Sequence, residues 1–414
     1  MRKFLVVSIS VVITLLICEG ALRFLTNQSG NKPPILDIQF PSREIFPHDQ
    51  IMTPEEKLLM SNYWYNFLIV DGEKITKGDL WGILREDDGL GFTAKENASS
   101  TNRWWQSNNI GARSNVITTR AKSPGRERIL LFGNSYAQAS RVPQNMTIDF
   151  YLNSRRPNIE AINFGVDGYG MAQSYLRFKI LKNELEYDRV FMIFVPGADL
   201  EREINASRYL GLGWFSSYSI TIQPRFVIEN GELSLIPSPY KNLDEMIEQN
   251  GDHVSERLKH HLRKYDSFYF PLWHEETPVL DKLLLVKLIK YGLYKHRKNT
   301  INQNLMNADS ESVQITKKIT ETMAKEVEED GGAFTLIVLP TIWDIHYYRS
   351  DPDFKHKWNV MVSEVCTYQI SCLDIMKDFQ ALPIEFFDTG YDQTHYGPKT
   401  NSLIADIILR KKMQ

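Results

Sequence analysis

The feature that most constrains the fold is a repeated alternation of short apolar runs with longer amphipathic stretches, which begins at Arg128. The apolar runs predict strands at 129–132, 161–163 and 189–195, and the stretches after them predict helices around 147–153 and over 171–185. The alternation returns near the carboxyl end, with predicted helices at about 312–329, 353–368 and 398–412 and predicted strands at 333–339 and 370–375. Strands that alternate with crossover helices form parallel sheets, so we expect a three-layer α/β/α sandwich over residues 121–414.

The alternation stops between about residues 205 and 308, where glycines and prolines interrupt the pattern. Residues 224–235 predict a hairpin with an Asn-Gly turn at Asn230 and Gly231. Residues 279–297 predict an apolar helix that carries several lysines. We expect this helix to pack over the core with its lysines in solvent, and a helix that lies on a membrane surface is the alternative. We therefore interpret 205–308 as an insertion in the sandwich.

The first 25 residues have the character of an export signal. Residues 4–18 carry no charge and are dominated by Val, Ile and Leu, with Arg2 and Lys3 before them. Such a segment is nearly long enough to cross a hydrocarbon core of about 30 Å. It predicts a membrane anchor over 1–25, with a cytoplasmic N-terminus and an exported remainder, and a cleaved signal peptide is the alternative. Residues 26–120, rich in proline up to residue 60, predict a linker followed by a region packed against the sandwich.

Charge and cysteine content narrow the partners and the compartment. The formal net charge is −3, and no basic cluster interleaved with aromatic residues indicates a nucleic-acid partner. Of the three cysteines, Cys18 lies in the apolar segment, which leaves Cys366 and Cys372 in the exported part. An oxidising compartment permits a disulfide between these two, and two separate buried thiols are the alternative. The sequence does not determine the oligomeric state.

A serine stands where the first predicted strand of the sandwich ends. Gly133 interrupts the strand and Ser135 opens the next helix, which places the hydroxyl at the carboxyl edge of the sheet, where parallel sheets bind ligands; a helix cap is the alternative role. A serine becomes a strong nucleophile when a base takes its proton. His395 lies in a loop at the same edge, and Asp392 is close enough in sequence to accept a hydrogen bond from its other ring nitrogen. The N–H groups of Ser135 and Gly168 are candidates to stabilise an oxyanion.

Four short blocks, in this order, resemble those of the SGNH or GDSL hydrolases. They are Gly-Asn-Ser at 133–135, Asn-Phe-Gly-Val-Asp-Gly at 163–168, Pro-Gly-Ala-Asp at 196–199, and Asp-x-x-His at 392–395. The resemblance covers roughly residues 105–206 and 311–412. It implies a flavodoxin-like sandwich that processes acyl esters, with Ser135 as nucleophile, His395 as base, Asp392 as the residue that orients this base and Gly168 as an oxyanion donor.

The sequence also resembles the membrane-anchored bacterial branch of this family. In that branch an E-x-x-x-R pair follows the anchor and an N-x-x-G-x-R segment precedes the nucleophile. The corresponding residues here are Glu19 with Arg23, and Asn109 to Arg113 in near form. This resemblance implies an exported enzyme that is tethered to the membrane through its N-terminal helix.

Two positions depart from the family's pattern. The Asp before the nucleophile is Asn134 here, which keeps a hydrogen-bonding side chain but removes a charge. The third-block Asn, which donates to the oxyanion, is Ala198, and the loss of one such donor typically lowers the rate by ~10²–10³. Asn205 and Gln173 are candidate substitutes for this donor. Asp199 is expected to be structural.

Several other histidines are less informative. Asp252, His253, Glu256, His260 and His261 lie close in sequence, and we expect a charged, solvated helix there rather than a metal cluster. His346 follows a predicted strand, and we assign it no role.

The sequence therefore predicts an exported, membrane-tethered serine hydrolase that cleaves or transfers an acyl group, expected to be acetyl, on a glycan or lipid. Covalent serine catalysis requires no metal or organic cofactor. An O-acyltransferase with the same triad is one alternative, because only the group that resolves the acyl-enzyme would differ. A non-catalytic glycan-binding or assembly protein on the same scaffold is another, and Ala198 favours it.

Overall fold

The computed structural model describes residues 2–26, 40, 68–70, 73–75, 84–100, 104–207, 222–250, 254–390 and 394–413. Of the predicted linker up to residue 60, only residues 26 and 40 are among the described residues. Asp392 lies outside the described residues. The chain forms two compact units, which are Met1–Ile45 with Ser267–Gln303, and Phe46–Asp266 with Asn304–Gln414.

The strands that the structure describes are β1 (Leu68–Val70), β2 (Glu73–Ile75), β3 (Leu84–Asp87), β4 (Gly91–Ala94), β5 (Glu127–Phe132), β6 (Ile159–Asn163), β7 (Arg189–Phe194), β8 (Arg225–Glu229), β9 (Glu232–Ile236), β10 (Ala333–Val338) and β11 (Cys372–Asp374). The described α-helices are α1 (Arg2–Thr26), α2 (Ser135–Gln138), α3 (Ile148–Arg155), α4 (Met171–Leu181), α5 (Pro196–Glu203), α6 (Leu243–Asn250), α7 (Glu256–Tyr265), α8 (Pro271–His274), α9 (Leu284–Asn304), α10 (Glu311–Glu329), α11 (Ile342–Ser350), α12 (Pro352–Val365), α13 (Met376–Phe379) and α14 (Pro398–Lys412).

The larger unit is built on a parallel sheet of five strands in the order β11-β10-β7-β5-β6. From the other edge, this is the 2-1-3-4-5 order of flavodoxin-like folds. The strands are short apolar runs that are buried almost throughout, as a sheet covered on both faces requires. Phe132 pairs with Met192, and Val338 pairs with Phe194, so these three strands end at one edge. The turns that follow them therefore gather at that edge.

Helices cover both faces of this sheet. The crossover through α3 joins β5 to β6, and the later crossovers run the other way across the sheet through α4, α10 and α12. Because such crossovers are right-handed, α3 lies on one face and the other three on the opposite face. The contacts agree, since α3 packs against α14, whereas α10 packs against α4, α5 and α12. The predicted parallel sheet with flanking helices is confirmed.

The insertion contains the predicted hairpin. Strands β8 and β9 pair around a turn in which Asn230 and Gly231 have φ angles of 53° and 81°, and Asn-Gly favours such a turn. Helix α7 departs from expectation, because His261 is buried together with Leu258 and Leu262. Burial, helped by nearby positive charges, lowers the pKa of His261 to about 4. The expectation of a solvated helix was therefore wrong for this side chain.

The smaller unit contains α1, α8 and α9. The Glu19 carboxylate accepts hydrogen bonds from the N–H groups of Leu284 and Leu285 at 2.9 and 2.8 Å, and it pairs with Arg23 at 2.6 Å. This carboxylate therefore caps the first turn of α9. Among the described side chains of α9, Lys290 alone is buried, and it contacts Asp281 at 2.7 Å. The expected arrangement, with the apolar face packed and the lysines in solvent, was wrong for Lys290.

Two further predictions concern the anchor and the cysteines. Within the part of the chain that the structure describes, no helix combines the length and apolar character needed to cross a membrane. The predicted membrane-spanning anchor over 1–25 is therefore not supported. Cys366 and Cys372 form a disulfide with their Cα atoms 5.7 Å apart, so of the two alternatives the structure has the bonded pair.

Candidate active site

A tight turn at the end of β5 presents Ser135. Gly133 has a φ of 147°, and a Cβ there would lie 2.8 Å from the carbonyl oxygen of Ile193, so the turn requires glycine. Asn134 caps α2 by accepting a hydrogen bond from the N–H of Tyr136 at 2.8 Å. Because Asn134 is the cap, the alternative role of Ser135 as a helix cap is wrong. The serine follows the cap and is almost fully buried.

The structure brings Ser135 and His395 together from positions 260 residues apart, with Oγ 2.7 Å from Nε2. At this distance the imidazole can take the hydroxyl proton directly. The ring of Tyr136 packs on the imidazole, with centroids 4.5 Å apart, and its hydroxyl donates to the carbonyl of Thr394 at 3.2 Å. The carbonyl of His395 accepts from the N–H of Gly390 at 2.8 Å. Ring and backbone of His395 are thus both held in place.

Two carboxylates are candidates to interact with His395, and the structure describes one of them. Asp392, the predicted partner, lies outside the described residues, and Nδ1 of His395 is 3.1 Å from the hydroxyl of Thr394. A second carboxylate, Asp167, forms an ion pair with Arg141 at 2.7 Å. Burial raises the pKa of Asp167, but the charges of Arg141 and His395 outweigh this effect, and the pKa falls below its usual value. These charges therefore favour the ionised form of Asp167.

Two backbone N–H groups are available at the same edge. Ser135 opens α2, and buried Gly168 has a φ of 85° in the turn after β6. Within the described part of the chain, no hydrogen bond engages the N–H of either residue. Ala198 lies near the start of α5, partly exposed, and supplies no donor. The amides can thus serve as oxyanion donors, whereas the third-block side chain cannot.

Neither candidate substitute for the missing donor is shown to reach the site. The Gln173 amide donates to the carbonyl of Leu90 at 2.7 Å and to the Gln223 side chain at 2.8 Å. It therefore links α4 to the β3–β4 hairpin and to the insertion. Asn205 is fully buried just beyond α5. The proposal that Gln173 replaces the third-block Asn was wrong, because its N–H groups are used elsewhere.

The departure at Asn134 has a direct physical explanation. Its side-chain amide donates to Asp199 at 2.7 Å, and the other oxygen of Asp199 accepts from the N–H of Val195 at 2.8 Å. Arg202 also approaches Asp199, at 3.4 Å. An Asp in place of Asn134 would set two buried carboxylates against each other, whereas an amide forms a hydrogen bond. Asp199 thus has the structural role expected of it.

A buried arginine supports the far end of the nucleophile helix. The Arg113 guanidinium donates to the carbonyls of Gln138, Ala139 and Val142, the last at 2.6 Å. The Asn163 amide donates to the carbonyl of Ala137 at 2.8 Å. These bonds satisfy the carbonyls that a four-residue helix leaves unpaired. The segment 109–113, which the resemblance singled out, therefore fixes the turn that carries Ser135.

The loop that carries His395 is held by residues that the sequence analysis missed. Asp388 accepts hydrogen bonds from the N–H groups of Lys399 and Thr400 at 2.8 and 2.7 Å, and so caps α14. The Tyr396 hydroxyl donates to the carbonyl of Pro340, which ties this loop to the turn after β10. An acid about ten positions before the helix was the available signal. In the described residues, no group of three or more His, Cys, Asp or Glu side chains could hold a metal ion.

No protein-family model matches the sequence, and a search of curated proteins finds no relative. Among solved structures, the chain is similar to the acetyl xylan esterase AlAXEase, with 14% identity, a TM-score of 0.32, and coverage of 69% of this chain and 99% of that chain. It is similar to the acetylxylan esterase Axe2 from Geobacillus stearothermophilus, with 12% identity, a TM-score of 0.34 and coverage of 70% and 95%. It is also similar to a member of the lipolytic protein G-D-S-L family from Veillonella parvula, with 11% identity, a TM-score of 0.30 and coverage of 70% and 99%.

Proposed function

We propose that this chain is a serine esterase that removes or transfers an acyl group, namely acetyl, on a glycan or lipid. One observation carries the proposal, namely the 2.7 Å contact between the hydroxyl of Ser135 and Nε2 of His395. A buried serine in this contact, at the carboxyl edge of a parallel sheet, has the base that its nucleophilic attack requires.

In this mechanism His395 takes the proton of Ser135 as the hydroxyl attacks the ester carbonyl. The N–H groups of Ser135 and Gly168 stabilise the oxyanion, and the protonated imidazole then gives its proton to the departing alcohol. Water, activated by the same imidazole, resolves the acyl-enzyme. Asp392 orients the imidazole and stabilises its positive charge.

The test is turnover of a small activated acetyl ester by the full chain and by Ser135→Ala and His395→Ala. We expect each substitution to abolish nearly all turnover, because nucleophile and base act as a unit. Ser107→Ala is the matched control, since Ser107 is also buried and its hydroxyl donates to the carbonyl of Lys95 rather than to a residue of the site. Equal rates in the parent and in both variants would contradict the proposal.

The transferase and binding-protein alternatives have separate tests. Acetylated product formed on an added oligosaccharide acceptor would identify a transferase, because a sugar hydroxyl then replaces water. The absence of a side-chain donor at Ala198 favours a non-catalytic glycan-binding protein. That alternative predicts retention of the chain in a polysaccharide-containing gel together with no ester turnover.

We further propose that the larger unit acts outside the cytoplasm. The disulfide between Cys366 and Cys372 supports this, since such bonds persist in oxidising compartments. The uncharged segment at 4–18, preceded by Arg2 and Lys3, supports an exported remainder. A reporter fused after residue 414 that is active only in the cytoplasm would remain silent if this proposal is right, and a strong signal would contradict it.

A further inference from the structure

Two large aromatic side chains are exposed on the first helix after β10. Trp343 is 63% exposed and Tyr347 is 47% exposed. They lie four positions apart on α11, so they occupy the same face of this helix. The indole and phenol rings thus form one surface, which we call the aromatic face.

The aromatic face belongs to the same edge of the sheet as the candidate active site. Helix α11 follows the carboxyl end of β10, and β10 is two strands from β5, a separation of about 10 Å. The carboxylate of Asp344, on the first turn of α11, would lie 2.8 Å from a Cβ added to Gly197 of the third block. The carbonyl of Pro340, just before α11, accepts from Tyr396, the neighbour of His395. The start of α11 therefore touches both the third block and the histidine loop.

We propose that Trp343 and Tyr347 bind the sugar rings of a glycan whose acyl group lies at Ser135. This inference rests on the proposed function and narrows its substrate from a glycan or lipid to a glycan. The C–H groups on one side of a pyranose ring carry partial positive charge, and the face of an aromatic ring is negative. A chain of sugars that crosses the edge of the sheet would thus stack on α11 while one of its acyl groups reaches the nucleophile.

The polar surroundings favour a sugar over an acyl chain. His346 is exposed between the two aromatic residues, and its ring meets that of Tyr347 edge-on with centroids 5.6 Å apart. It can exchange hydrogen bonds with sugar hydroxyls. On the active-site side lie the Arg141–Asp167 ion pair and the exposed Thr394. A lipid would have to desolvate these groups without replacing their hydrogen bonds, whereas a sugar replaces them.

The test compares substrates that differ only in the length of their sugar chain. The full chain, Trp343→Ala and Tyr347→Ala are assayed with a small activated acetyl ester, with acetylated monosaccharides, and with chemically O-acetylated cello-, xylo- and chito-oligosaccharides. We expect each substitution to raise KM for the preferred oligosaccharide by about tenfold. Turnover of the small ester should stay unchanged, and Trp343→Phe should retain most of the oligosaccharide preference because it keeps a ring.

Tyr368→Ala is the matched control. Tyr368 is 96% exposed, but it precedes β11 and so lies at the opposite, amino edge of the sheet. Oligosaccharide KM in this variant should equal that of the parent. The inference is overturned if the parent prefers no oligosaccharide over the monosaccharides, or if Trp343→Ala and Tyr347→Ala leave KM unchanged.

Failure of the proposed function would be visible separately, as absence of turnover of the small ester. In that case the aromatic face is tested by retardation of the full chain in gels that contain the corresponding polysaccharides. Retardation that is lost in Trp343→Ala and kept in Tyr368→Ala supports the inference. No retardation of the parent overturns it.

Discussion

Asn134 and Asp199 show how a single side chain adapts the turn beside the nucleophile. The amide of Asn134 serves twice, because its oxygen caps α2 and its N–H group binds the buried carboxylate of Asp199. This removes a charge from the neighbourhood of Ser135 without leaving a polar atom unpaired. The turn therefore keeps its geometry although Asn134 stands where the pattern of the SGNH or GDSL hydrolases has an Asp.

Ala198 leads to the first prediction. Its substitution by Asn should raise kcat of ester turnover, by up to about 10²-fold, because it adds a side-chain donor where an oxyanion develops. The position is near the start of α5 and partly exposed, so the larger side chain can be accommodated. The measurement is kcat with the small acetyl ester. Ala198→Leu is the control, since leucine has a similar shape and no donor; a kcat that is unchanged in Ala198→Asn would contradict an incomplete oxyanion site.

Asp344 leads to a prediction about pH. Burial raises its pKa from 3.8 to about 6, and hydrogen bonds from Thr341 only partly oppose this. The folded chain thus binds this proton more tightly than the unfolded chain, so its contribution to stability is largest below about pH 4 and falls as pH rises to about 6. A shift of about two units corresponds to about 3 kcal/mol.

The variant Asp344→Asn should remove this dependence while its side-chain oxygen still accepts from the N–H of Thr341. The free energy of unfolding in urea, measured at pH 4 and pH 7, should then favour the variant over the parent by about 2 kcal/mol more at pH 7. Asp353→Asn is the control, because Asp353 is exposed. If the two chains change in parallel between these pH values, the carboxyl of Asp344 does not titrate as proposed.

At the scale of elements, local sequence patterns predicted the turns and helix starts whose conformation depends on neighbouring residues. The hairpin at Asn230 and Gly231 and the last helix, which starts at Pro398, follow the sequence signals directly. Helix α9 was predicted to begin at residue 279 but begins at Leu284. The reason is distant in sequence, because the carboxylate that caps its first turn is Glu19. A local sequence pattern cannot predict a contact between residues that are 265 positions apart.

The same distinction applies to the candidate site. Ser135 and His395 could be predicted because Ser135 follows a predictable strand end and His395 lies in the loop before a predictable helix, and the sheet then brings the two together. The roles of Asp388 and of the Arg141–Asp167 pair could not be predicted, because they depend on partners that come close only when the loops fold. Arg113 was singled out by resemblance alone, and its carbonyl contacts give the physical reason.

Glu19 gives the prediction at this scale. Glu19→Ala should leave the N–H groups of Leu284 and Leu285 without their carboxylate and lower the stability of α9 by about 1–2 kcal/mol. Amide hydrogen exchange of the first turn of α9 should become about tenfold faster or more, whereas exchange in β5 should not change. Glu276→Ala is the control, because Glu276 is exposed in the same unit. Unchanged exchange at Leu284 and Leu285 would show that the cap contributes nothing.

At the scale of the whole molecule, the two units are interleaved along the chain. The smaller unit takes Ser267–Gln303 from the middle of the sequence, while the sheet, Ser135 and His395 all belong to the larger unit. The chain before and after this segment meets at one side chain, because the Arg225 guanidinium donates to the carbonyl of Tyr265 at 2.8 Å and also binds Glu311, seven residues beyond Asn304. The larger unit has its own hydrophobic core, and Arg225 links the part of that unit before the segment to the part after it.

This arrangement predicts that Ser267–Gln303 can be excised without loss of the chemistry. We propose a linker of about six Gly and Ser residues between Asp266 and Asn304, which reaches roughly 13 Å on average, because Arg225 brings Tyr265 and Glu311 to the same side chain. Turnover of the small acetyl ester should stay within about twofold of the parent, because no residue of the nucleophile turn or the histidine loop is removed. The same excision with Ser135→Ala is the control for background hydrolysis. A chain that keeps its cooperative thermal unfolding but loses turnover would show that the excised segment contributes to the site, contrary to the independence inferred here.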